Sequence, residues 1–60
     1  MPAVTVQQLP KTAELKRELV ARITDAFVDT YKIPAETVHV WFHEVPAESY
    51  AVNGKLVADK

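Results

Sequence analysis

The sequence predicts an α+β protomer: two parallel strands joined by one helix, with a short C-terminal hairpin. Three observations predict it. An alternating apolar run opens the chain, one long apolar stripe at helical spacing follows, and a second alternating run comes after the helix. Strand, helix and strand together fill the roughly 30 residues of a βαβ unit, whose two strands run parallel.

The first strand is read from Ala3 to Gln8, because Val4 and Val6 alternate with Ala3, Thr5 and Gln7. Pro10 breaks it, having no N–H to donate to a ladder. Thr12 is a predicted N-cap, and Glu14 lies in the first turn, where the helix dipole favours a carboxylate. The run TAELKRELVARITDAFVDTY is then helical. Leu15, Leu19, Ile23, Phe27 and Tyr31 recur every four residues, and Val20, Ala26 and Val28 widen the stripe. Lys16, Arg17, Arg22 and Asp25 are assigned to the wetter face. Pro34 disfavours helix at Ile33, so the helix ends near Lys32.

Val38 to His43 is the second strand. Val38, Val40 and Phe42 point to one face, and His39, Trp41 and His43 to the other. In the tail AVNGKLV, Asn53-Gly54 suits a two-residue type I′ turn and predicts a hairpin. Glu44 and Glu48 follow the second strand and read as solvated acids. No repeat or linker divides the chain, so residues 1–60 form one domain.

Size and composition narrow the function classes. A chain of 60 residues buries only about 60% of the surface that its unfolded form exposes. Such chains lean on disulfides, a structural metal or partner subunits. Cysteine is absent, which removes disulfides, thiolate metal sites and a thiol nucleophile together. His39 and His43 resemble a metal pair, but four residues of strand span about 13 Å, too far for one ion within a chain. No metal is expected. The net charge of −1 gives no basic stripe for nucleic acid. No apolar run approaches the roughly 20 residues of a membrane span, and the first residues lack the pattern of a signal peptide. A cytoplasmic protein without nucleic-acid or membrane partners is expected. One helix covers only one face of a two-stranded parallel sheet, which leaves the Trp41 face open. A homo-oligomer is therefore expected.

Pro2 directly behind Met1 raises a chemical possibility. A small second residue lets the methionine be trimmed, and the chain would then begin with a free secondary amine. Together with MPAVTV, the long helix, the second parallel strand and the closing ESYAVNGKLVAD, this resembles the 4-oxalocrotonate tautomerase family. The resemblance covers the whole chain. Its most specific elements are Pro2 and the run from Tyr50 to Leu56.

The resemblance implies βαβ protomers paired into dimers, and three dimers forming a hexamer. It also implies cofactor-independent proton transfer by the Pro2 amine, acting as base and then as acid. Such a base needs a pKa near the working pH; apolar surroundings and a nearby cation both lower that of an amine. Tyr50 matches the family's aromatic wall, and Lys11 would supply the cation. The family holds its substrate with arginines, and here the sequence departs from it. The loop before the helix is a residue shorter and carries Lys11, and the second-strand arginine position falls on His39. Lysine lacks the fork that matches a carboxylate, and a histidine is mostly neutral at pH 7.

Each candidate also has a plain reading. Lys11 is a carboxylate ligand or a solvated loop lysine, and His39 a substrate contact or an interface histidine. Tyr50 is a site wall or interface packing, while Trp41 reads as interior packing. The function expected is a tautomerase acting on a small enol or 2-oxo carboxylic acid. The alternatives are a hydratase or dehalogenase on unsaturated acids, and a non-catalytic oligomeric binding protein.

Overall fold

Ala3–Gln8 forms strand β1, and every second residue along it is shielded. The computed structural model, which describes residues 1–59, pairs β1 in parallel with β2, His39–Glu44. The register sets Ala3 beside His39, Val4 beside Val40, Val6 beside Phe42 and Gln8 beside Glu44. Neighbours in a parallel register share a face, so Val4, Val6, Val40 and Phe42 make one apolar surface. The other face carries Thr5, Gln7, His39, Trp41 and His43.

Helix α1 spans Ala13–Tyr31 and lies on the valine face, where Lys16 and Val20 meet Phe42. Thr12 caps it as expected, its hydroxyl accepting the Leu15 N–H at 3.2 Å. At the other end Lys32 adopts the left-handed conformation (φ 59°), and its N–H reaches the Val28 carbonyl at 3.0 Å. Pro34 then starts a turn in which its carbonyl accepts both the N–H and the hydroxyl of Thr37. Val38 closes this turn through its N–H to Ala35, so β2 begins at His39, one residue later than expected.

The helix face differs from the reading by strict fourfold spacing. The shielded positions are Lys16, Val20, Ile23, Thr24, Phe27 and Val28, while Leu15 is 57% and Tyr31 62% exposed. A row of residues four apart drifts around a helix of 3.6 residues per turn, so Leu15 and Tyr31 leave the stripe at its ends. Lys16, assigned to the wet face, instead lies over the sheet with its ammonium 5.8 Å from the centre of the Phe42 ring.

The C-terminal hairpin consists of β3, Ala51–Val52, and β4, Lys55–Leu56. Asn53 and Gly54 both have positive φ (55° and 80°), as a type I′ turn requires. The Val57 N–H closes the ladder on the Tyr50 carbonyl at 2.8 Å. The hairpin forms a sheet of its own. No side chain among the described residues is fully buried, although 48% of the sequence is hydrophobic. The protomer measures 44 × 22 × 13 Å, a thin shape whose apolar faces have no interior of their own.

Candidate active site

The strands β1 and β2 divide the candidate residues between their two ends. At the leading end, the Pro2 carbonyl accepts the His39 N–H at 3.0 Å. Pro2 is half-buried and lines a cavity of about 360 Å³ with Met1, Tyr31, Ile33, Pro34 and Thr37. The His39 ring lies on the open sheet face, stacked on Trp41 at 5.8 Å between ring centres and 20° between planes. Trp41 is 53% exposed there.

At the trailing end a larger cavity of about 630 Å³ brings Lys11 and Tyr50 together. Its wall also contains Gln7, Leu9, His43 and Ser49. The turn at Ala47–Ser49 delivers Tyr50 to this wall from beyond β2, and the break at Pro10 delivers Lys11 from beyond β1. The four candidates therefore form two pairs by position: Pro2 and His39 meet through their backbones alone, while Lys11 and Tyr50 share a cavity. The six residues of β1 between them correspond to about 20 Å. One small substrate cannot touch both pairs of a single chain.

The sequence offers His43 a role only as half of a metal pair, yet it stands in the Lys11 wall. The parallel register carries the signal for this, because Gln7, beside His43, lines the same cavity. No group of three metal-ligating side chains occurs among the described residues.

Glu44 is no freely solvated acid. One carboxylate oxygen accepts the Lys11 backbone N–H at 3.0 Å, and the other accepts the Lys16 ammonium at 3.0 Å. These contacts, the Lys11 N–H foremost, hold its pKa below the ordinary value of 4.5. The Gln8 amide adds slightly to the lowering, although its buried nitrogen makes no hydrogen bond of good geometry. A carboxyl whose pKa is depressed by folding stabilises the fold above its ordinary value, and this contribution fades as the pH falls through the folded value. Acidification from about pH 5 to about pH 3 should therefore lower the melting temperature by less in Glu44→Gln than in the parent. Parallel acid slopes in the two proteins would contradict this.

A family model described as tautomerase enzyme matches residues 2–60. The chain belongs to the tautomerase family. Its match begins at Pro2 and takes in the lining of both cavities except Met1. The chain is 39% identical over 61 residues to a probable tautomerase of Halalkalibacterium halodurans, with all of both chains covered. It is 40% identical over 60 residues to a 2-hydroxymuconate tautomerase of Bacillus subtilis, covering 98% of this chain and 97% of the relative. Among solved structures, the 4-oxalocrotonate tautomerase homologue TTHB242 superposes with a TM-score of 0.92 at 36% identity, covering 100% of this chain and 97% of that one. YwhB, another such homologue, gives 0.89 at 38% identity, with 98% of each chain covered. Tautomerases are isomerases, so the chain is an enzyme of that class. No helix among the described residues is long and apolar enough to cross a membrane.

Proposed function

We propose that this tautomerase moves a proton on a small enol or 2-oxo carboxylic acid, using the Pro2 amine freed by loss of Met1. The observation that carries the reading is the setting of Pro2. It is half-buried and shares a cavity with Tyr31, Ile33, Pro34 and Thr37, at the start of a hydrogen-bonded strand. Apolar surroundings disfavour an ammonium ion and bring the pKa of an amine down toward the working pH. The amine takes the proton from the substrate's enol oxygen and returns it to a carbon further along the conjugated system. Lys11 holds the carboxylate as a point charge, Tyr50 keeps that end of the pocket apolar, and His39 stands where a second acidic or oxo group is held.

The separation of the two pairs makes assembly part of this proposal. A substrate touching both Pro2 and Lys11 must lie between two chains, and a two-fold axis that sets one chain's Pro2 against the other's Lys11 completes two sites at once. Three such dimers packed with their sheet faces inward cover the open Trp41 face. A Chloroflexus aurantiacus relative at 25% identity is a heterohexamer; for this chain we propose a homohexamer of three dimers.

Two measurements test these statements. Turnover of 2-hydroxymuconate, and of an enol monoacid, should appear as loss of dienol or enol absorbance without any added cofactor. Absence of turnover on both acids would reject the substrate class. Light scattering at micromolar concentration should report about six chains, with a melting temperature that rises with protein concentration. A monomer with a cooperative, concentration-independent melt would reject the assembly.

A further inference from the structure

We infer that Glu44 is a positioning residue for the substrate's carboxylate, acting through Lys11; the inference rests on Lys11 as the carboxylate ligand. The loop between β1 and α1 is short and contains Pro10, which donates no backbone hydrogen bond. What ties it to β2 is the Lys11 N–H on Glu44, a contact between residues 33 apart in sequence. Lys16, one turn into α1, binds the second oxygen of the same carboxylate. These are the long-range side-chain hydrogen bonds among the described residues. Glu44 thus joins the end of β2, the loop and the first turn of the helix at one point.

Charge makes the arrangement selective. An acid beside a substrate-binding lysine would ordinarily capture its ammonium and cancel the charge that a carboxylate needs. Here both oxygens of Glu44 are engaged, one by the Lys11 main chain and one by Lys16. The side chains of Lys16 and Glu44 are only 27% and 28% exposed, so their pairing is partly shielded from water. No ion pair engages the Lys11 ammonium among the described residues, and Lys11 lines the cavity. Glu44 holds the Lys11 backbone while Lys16 keeps Glu44 from quenching the Lys11 charge.

The test compares kcat and KM of the assembled, Met1-free enzyme for an enol monoacid and for its methyl ester. Glu44→Ala should raise KM for the acid about tenfold, the size of one charge-assisted hydrogen bond, with kcat and the ester's constants changed little. Glu44→Gln keeps an acceptor for the Lys11 N–H and should raise KM for the acid only about threefold. This isosteric variant carries the test if Glu44→Ala fails to assemble. Lys16→Met frees one Glu44 oxygen to pair with the Lys11 ammonium and should also raise KM for the acid. In a Lys11→Ala background the Glu44 effects should vanish, because residues acting through one group are not additive. Glu44 variants that affect acid and ester alike, or that remain additive with Lys11→Ala, would overturn the inference. If Lys11→Ala raises KM for the acid while neither Glu44 variant does, the inference alone fails. If Lys11→Ala leaves KM for the acid unchanged, the reading of Lys11 fails and the inference falls with it.

Discussion

Protein freed of Met1 should turn over enol acids, and protein carrying any residue ahead of Pro2 should be close to inactive. The expected ratio is about 10²- to 10⁴-fold, the range that a positioned general base contributes. The reason is electronic. Joined to Met1, the Pro2 nitrogen is an amide whose lone pair is delocalised into the carbonyl, so it has no basicity near neutral pH. Met1 is 81% exposed, so a processing enzyme can reach it. Intact mass should be measured on the same samples as the rates, so that each rate is assigned to a defined terminus. Pro2→Ala separates the amine from the ring. It leaves a primary amine after trimming, and turnover should be reduced but detectable. Equal activity in the trimmed and extended forms would rule out the Pro2 amine as the base.

Much of this architecture is written locally and was legible for that reason. The N-cap at Thr12, the stop before Pro34 and the turn at Asn53-Gly54 each depend on a few neighbouring residues. Parallel pairing of β1 with β2 follows from the crossover helix between them. The tertiary placements were harder to read. Lys16 looked solvated because its character is polar, but its long methylene stem lies along the sheet while the ammonium reaches Glu44. Leu15, at 57% exposure, lies outside the stripe, and only a second surface would bury it.

The candidate site was legible as a set of residues and not as a place. Pro2, Lys11, His39 and Tyr50 could be named from the chain, but their division between two ends about 20 Å apart depends on the strand register. His43 joined the Lys11 wall for the same reason. Glu44 gave no sequence signal as an anchor, since its partners lie 33 and 28 residues away.

His39→Arg should restore turnover of a diacid at about pH 8 and leave a monoacid nearly unchanged. If His39 holds a second carboxylate, it must do so as a cation, and a histidine side chain is favoured as a cation by acid and not by base. The Pro2 amine must be unprotonated, which requires the opposite change of pH. The two demands overlap only narrowly, so kcat/KM for a diacid should be modest and pass through a sharp maximum. A monoacid, held through Lys11, should lose the falling limb that His39 causes. Arginine keeps its charge at every relevant pH and presents a fork that matches a carboxylate. Its plane can also lie over Trp41, where the His39 ring stacks at 5.8 Å. The gain for the diacid should be about ten- to hundredfold, from the roughly 1.5 to 3 kcal/mol of a charge-assisted hydrogen bond. A change of similar size for both acids, or for neither, would show that the His39 ring packs on Trp41 and does not bind substrate.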